Sequence, residues 1–345
     1  MQWRDELTRR FPKLSRLGPG TYVVGGAIRD LLLGREPADV DVACIDPLAA
    51  ARKIRPRVIR LGDEEHLSAY RVVDGQHVYD FAALLGDRLD VDLARRDFTV
   101  NAMAVDLENG TLLDPHGGQR DLAARTVRMV DPANFDDDPL RTLKGVRMAV
   151  KYGFTIEPAT MDAIRTRAAR IADVAPERVT SELSVIFSSN ALRRAIGLLH
   201  EAALDAPLGL VQRDVHADDV SLAGSLALLV DDPRAYAERW RWSTSLLRDV
   251  LTLQRLVAQH DRVALYDAGE EIARRLPPLL RAHGRDDALD FPDFSIRPLL
   301  TGEEIAQLAN VKPGKELGAI KRALLEAQIR GEVKTKEEAE AFVAA

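Results

Sequence analysis

With 345 residues, 46% hydrophobic and 30% charged, the chain has the balance of a soluble globular protein and the length for two or three domains. Its 48 basic and 54 acidic residues leave a net charge of −6, which argues against coating nucleic acid by bulk charge, and 5% aromatic residues argue against a base-stacking platform. The lone Cys44 excludes an intrachain disulfide framework and zinc sites built on cysteine pairs. The start lacks an apolar segment, and no apolar run nears the ~20 residues that span a bilayer. The expectation is a protein of the reducing cytoplasm with no membrane segment.

In chain order, residues 1 to about 19 read as an amphipathic helix closed by Gly18-Pro19-Gly20. Tyr22-Val23-Val24 is a short β-type run that meets Gly25-Gly26 and then a helical stretch, Ala27 to Leu33, which Gly34 is placed to end. Asp39 to Cys44 alternates acidic and apolar residues, the period of a strand. Strand-like runs Tyr70 to Val73 and His77 to Phe81 flank a turn at Asp74-Gly75; Asn101 to Asp106 and Thr111 to Leu113 flank Asn109-Gly110. From about Pro139 β-branched runs become rare, and residues 139–285 read as successive helices, followed by Gly302 to Ala309 and Lys315 to Ile329. A mixed α and β head followed by an all-α body is the architecture this predicts.

Four segments can carry chemistry. In Val24-Gly25-Gly26-Ala27-Ile28-Arg29-Asp30 a strand runs into two glycines and a helix start, where backbone N–H groups approach a phosphate and Arg29 can join them. Asp39 and Asp41, two apart on a strand, project from one face, and two such carboxylates suit Mg²⁺ completed by water and substrate phosphate. Asp80 can add a third acid from a neighbouring strand. Arg95-Arg96-Asp97-Phe98-Thr99-Val100-Asn101 offers arginines to a triphosphate or RNA backbone and an amide to a ribose or to the loop itself. Asp138-Pro139-Leu140-Arg141 opens a helix with Asp138 as N-cap, and Arg141, Lys144 and Arg147 follow one side of it. An acid and an arginine one turn apart can read the edge of a base. Taken singly, each segment also reads as a tight turn, an exposed acidic face, a surface loop or a capped basic helix. A phosphate cradle followed by a carboxylate pair on the next strand is the combination that two-metal phosphoryl transfer needs.

These segments, in this order, resemble the class II tRNA nucleotidyltransferases and bacterial poly(A) polymerases. The matching stretches are VVGGAIRDLLLG, ADVDVA, RRDFTVNAMA with LLDPHGGQRDL, DDPLRTLKGVRMAVKYGF, ERVTSEL at residues 177–183, and the C-terminal KPGKELGAIKRALLEAQIRGEVKTKEEAEAFV. The resemblance implies an α+β fold: a polymerase-β-like nucleotidyltransferase head with a mixed sheet (1–128), then an all-α neck (129–190), body (191–290) and tail (291–345). It implies Mg²⁺ on Asp39 and Asp41, Asp80 as a further catalytic acid, and nucleotide contacts from Gly25, Gly26, Arg29, Arg96, Asp97 and Asn101. It places the base-reading pair on Asp138 and Arg141, with Lys144 and Arg147 as helix partners. The implied substrates are CTP and ATP, and the implied partner is the tRNA acceptor arm. Poly(A) synthesis, or RNA binding without catalysis, are the rival readings.

Two departures bear on that reading. The family usually has arginine where this chain has Lys144, and lysine cannot form the same planar fork. Only Ala82 to Ala94 fills the gap before RRDFT, where many members carry a longer flexible segment that helps switch from C to A addition; a partial enzyme adding only CC or only the final A is one expectation. Residues 141–180 hold eight Lys/Arg and four acids, which predicts a basic, RNA-facing neck. His260-Asp261 reads as a chance surface pair rather than part of a phosphohydrolase site.

Overall fold

The computed structural model describes residues 2–61 and 69–345. Its contacts divide the chain into two compact units, 1–182 with 198–208, and 183–197 with 209–345.

The first unit is built on a seven-stranded sheet: β1 (Thr21–Val24), β2 (Asp39–Cys44), β3 (Ile59–Leu61), β4 (Ala69–Asp74), β5 (His77–Ala83), β6 (Ala104–Asp106) and β7 (Leu112–Leu113), in the order β3-β4-β5-β2-β1-β6-β7. β2 runs parallel to β5; the other neighbours pair antiparallel, so the sheet is mixed. Strand alternation sorts the two faces. Val23, Val40, Val42, Tyr79 and Phe81 are buried on one side, where Phe11 meets Tyr79 edge-on at 5.8 Å. Each such aliphatic side chain contributes about 2 kcal/mol by leaving water. On the other side Val24, Ala43 and Ala104 pack against Leu84 and Leu93, while Asp39 and Asp41 lie further along the same face, exposed.

Around the sheet lie α1 (Trp3–Arg10), α2 (Gly26–Leu32), α3 (Pro47–Ile54), α4 (Leu89–Ala94) and α5 (Gly118–Ala123). They lead into α6 (Asn134–Asp137), α7 (Leu140–Tyr152), α8 (Pro158–Arg167) and α9 (Pro176–Phe187). Two-residue strands β8 (Thr126–Val127) and β9 (Thr155–Ile156) pair in parallel, and Phe98 meets Phe135 edge-on at 6.0 Å. Gly118 is a forced glycine: a Cβ there would fall 2.4 Å from the Thr99 carbonyl oxygen.

The β2 boundaries match the sequence pattern; two readings do not. The single N-terminal helix ends at Arg10 and continues as a 3-10 turn over Pro12–Arg16, because Pro12 has no N–H to donate. Asn101 closes a 3-10 turn, Thr99–Asn101, and the strand starts only at Ala104. Helix α3 and strand β3 had no periodic signal long enough to announce them.

The second unit is helical. Leu256, Leu265, Ala273, Leu276 and Leu280 form one core; Leu300, Ile305, Leu324, Ala327, Val333 and Ala339 form another. Capping boxes at Thr301/Glu304 and Thr335/Glu338 start the helices Gly302–Leu308 and Lys336–Ala344. His260 bonds the Leu256 carbonyl at 3.0 Å and Asp261 caps the next helix through the Ala264 N–H, so this pair is structural. Among the described residues no helix is long and apolar enough to cross a membrane.

Candidate active site

The acidic row comes from sheet register. Asp41 pairs in parallel with Asp80 across β2 and β5, and Asp80 pairs with Arg71 across β5 and β4, so the three side chains share one face. Arg71 grips Asp80 with both arms of its guanidinium, Nε to Oδ1 at 2.7 Å and Nη2 to Oδ2 at 2.6 Å. Asp39 and Asp41 make no hydrogen bond or ion pair among the described residues. Asp41 is open to solvent at its tip yet ringed by protein. Desolvation pushes its carboxyl up to about 6, Arg96 pulls it back, and the charges of Asp39 and Asp80 add to the rise. Such a site has more negative charge than it can pair, and its oxygen donors suit a hard divalent cation held by two carboxylates. Among the described residues no group of three or more His, Cys, Asp or Glu converges as a complete metal cage. Asp80 stands beside the pair with its charge already matched.

The glycine turn closes the site from the β1 side. Gly25 sits at φ +75°, and a Cβ there would lie 2.8 Å from Arg96 Nη1 and 3.6 Å from Asp41 Oδ2, so only glycine lets these groups meet. The Gly25 N–H is not free for a phosphate, since it donates to the Met103 carbonyl at 3.2 Å. The open donors are the next amides in the first turn of α2, from Gly26 onward. Arg96 is anchored by Asp92, Nη2 to Oδ2 at 3.0 Å, and reaches the Asn101 carbonyl at 3.4 Å.

Arg29 is not an open phosphate ligand. It is 8% exposed, donates from Nη1 to Asn101 Oδ1 at 2.6 Å, pairs with Asp30 at 2.8 Å and lies 4.8 Å from the centre of the Tyr152 ring. Asn101 in turn donates to Asp97 Oδ1 at 3.0 Å, and Tyr152 donates to Asp30 at 3.0 Å. Arg29, Asn101 and Asp97 therefore form a chain of charge-assisted bonds that ties α2 to the RRDFT loop and to α7.

At the start of α7, Pro139 already has helical angles, Asp138 is extended, and the Leu140 N–H donates to Asp138 Oδ1 at 3.3 Å. The two residues read as a base-edge pair each have a partner within the protein. Asp138 Oδ2 accepts from Arg178 Nη2 at 2.9 Å and lies 3.8 Å from Lys144 Nζ, while Arg141 donates to the Asn134 carbonyl at 3.0 Å. Burial pushes the Asp138 carboxyl up, but the Arg178 hydrogen bond and the charges of Lys144 and Arg178 outweigh it and hold it below the usual value. Arg147 Nε contacts Glu182 Oε2 at 2.5 Å. The basic count of this stretch is not an open basic face: Arg165 pairs with Asp162 and Glu201, and Arg167 and Arg170 both with Asp136.

Residue reasoning missed Arg71, Asp92 and Arg178. A short turn between Asp74 and His77 puts Arg71 opposite Asp80, and Asp92 precedes Arg96 by one helical turn, so both were readable. Arg178 lies 40 residues beyond Asp138 and needed the fold.

Comparison with known proteins matches this geometry. Residues 21–87 and 63–128 match the poly(A) polymerase head domain, and residues 153–208 match a probable RNA- and SrmB-binding site of polymerase A. The chain is 33% identical to the A-adding tRNA nucleotidyltransferase of Deinococcus radiodurans over 97% of each sequence. It is 31% identical to the CCA-adding enzyme of Lactococcus lactis subsp. cremoris over 94% of this chain and 92% of that one. The solved CCA-adding enzyme of Bacillus stearothermophilus in complex with CTP superposes with a TM-score of 0.81 at 25% identity, covering 98% of this chain and 96% of the other. A mixed sheet bearing two neighbouring carboxylates without a partner among the described residues, followed in the chain by a capped helix and a helical remainder, thus belongs to a chain of the tRNA nucleotidyltransferase family, the family that shares its head domain with poly(A) polymerase.

Proposed function

We propose that the chain adds C, A or both to the 3′ end of tRNA, taking CTP and ATP as substrates without a template. Asp39 and Asp41, side by side on β2 and without a partner among the described residues, carry this reading. They would hold Mg²⁺, which supplies the charge that activates the RNA 3′-hydroxyl and grips the triphosphate. Arg96, braced by Asp92 against Gly25, meets the phosphates. Gly26 and the first turn of α2 offer amides to the same anion. Arg71 holds Asp80 in line with Asp41, so Asp80 orients and balances the pair. Asp138, with Arg178 and Lys144 fixing its carboxylate, accepts a hydrogen bond from a base edge, and Arg141 offers donors. The 3′-hydroxyl oxygen attacks the α-phosphorus, and the bond to pyrophosphate breaks.

The choice between a full CCA end and a partial product turns on residues 84–94. Leu84 and Leu93 there are buried against Val24, Ala43 and Ala104 and α4 takes up most of the rest, which favours a partial product over a switching segment. The deciding experiment supplies tRNAs ending before C74, before C75 and before A76 with each nucleotide separately, and sizes the products. A stop after one to three nucleotides supports the reading; a long ladder points to poly(A) synthesis, and silence on every end to binding alone.

A further inference from the structure

Between the phosphate end of the site and its base-reading end stands Asn134, 5% exposed and outside every motif quoted above. Its side-chain amide donates both hydrogens, to the carbonyls of Ala94 and Arg96, each at 2.9 Å. Its own main-chain carbonyl accepts from Arg141 Nη1 at 3.0 Å and from the Asp138 N–H at 3.3 Å. One residue therefore holds the backbone on both sides of Arg95, including that of Arg96, and also the two residues read as the base-selecting pair. An exposed ion pair between Arg95 and Asp137 runs alongside the same connection.

We propose that Asn134 is a positioning residue that sets the distance between Arg96 and the Asp138–Arg141 pair, so that nucleotide selection depends on it although it touches no nucleotide. The inference rests on the reading of the site given above. The chemistry is restrictive. A primary amide satisfies two carbonyls two residues apart at once; a carboxylate would repel both, and an aliphatic side chain would take the Asn134 donor from both. Triphosphate and base belong to one molecule of limited reach, so a shift between their two protein contacts reads out as lost discrimination: a correct base meets its partners less well while the phosphates stay bound.

The test compares wild type with Asn134→Leu and Asn134→Asp, each checked for folding by thermal unfolding. The measurement is the ratio of kcat/KM for the incorporated nucleotide to that for UTP on a tRNA lacking its 3′ end. The ratio should fall by about tenfold to a hundredfold, the range expected for a misplacement of about 1 Å. Asn134→Gln, which keeps both donors on a longer stem, should recover part of it. A folded Leu or Asp variant with the wild-type ratio overturns the proposal, as does an equal loss for all nucleotides. If neither folds, Asn134→Gln alone decides: its ratio must drop below wild type. Asp41→Asn, assayed alongside, separates the two claims, since wild-type turnover there overturns the reading of the site itself.

Discussion

The two ends of the candidate site solve opposite electrostatic problems. On β2, Asp39 and Asp41 have no partner among the described residues, and the charges of Asp39 and Asp80 help hold Asp41 up at about 6. At the neck end Asp138 is matched by Arg178 and Lys144, and Arg147 by Glu182. Unmatched carboxylates on an exposed sheet face cost stability, and a bound cation removes that cost. Matched charges hold side chains still, which suits the reading of a base edge. Under the proposed function the same acidic residue type serves as metal ligand at one end and as fixed acceptor at the other, according to its neighbours.

Replacing the unmatched acids should have the largest effect. Asp39→Ala or Asp41→Ala should lower nucleotide incorporation by about a thousandfold or more while the thermal unfolding midpoint of the metal-free protein stays level or rises. Near-normal turnover in either would remove the distinction between the two ends.

Breaking the matched end should alter choice more than rate. Arg178→Ala releases Asp138, and Arg141→Ala removes its neighbouring donors; each should reduce preference for CTP and ATP over UTP and GTP by about tenfold, read from competing incorporation. Unchanged preference in both variants would exclude the neck end from base reading.

Arg71 sits at the border between the two regimes. Arg71→Ala leaves Asp80 unpaired beside Asp41, and kcat/KM should drop by about tenfold with the acid limb of the pH–rate profile moving up. Arg71→Lys should not restore it, because an ammonium cannot make the two parallel bonds to Asp80. A normal profile in Arg71→Ala would show that Asp80 needs no holding.

The smallest effect is on stability against pH. The folded Asp41 carboxyl lies at about 6 against an ordinary 3.8. Between those values the folded state keeps a proton that the unfolded state has lost, so its contribution to stability is greatest below that window and disappears as pH rises through it. Denaturant unfolding without metal should show this slope in wild type and not in Asp41→Asn. An identical slope in both would place the rise elsewhere.

Local pattern put Asp39 and Asp41 together because a strand's period of two decides by itself that they share a face, and the flanking Val40 and Val42 say which face is buried. It revealed the α7 start because Asp138-Pro139 is a local signal. It failed where a partner came from far along the chain. Arg29 read as a phosphate ligand, yet Asn101 and Tyr152, 72 and 123 residues away, enclose it. Arg178, 40 residues beyond Asp138, gave no local signal, yet it bonds the Asp138 carboxylate, while Arg141 donates to the Asn134 carbonyl. The excess of basic over acidic residues in 141–180 read as an RNA-facing surface because Asp136, Glu182 and Glu201, which neutralise much of it, all fall outside that window.

Cation binding measured without catalysis tests the centre of this account most directly. Titration of Mn²⁺, followed by electron paramagnetic resonance at pH 7.5 in the presence of CTP, should show metal bound by the wild-type protein. That binding should weaken as pH falls below about 6, where Asp41 takes up its proton, and it should be absent from the Asp39→Asn/Asp41→Asn double variant. A double variant that binds the metal as wild type does would contradict the assignment of these two carboxylates.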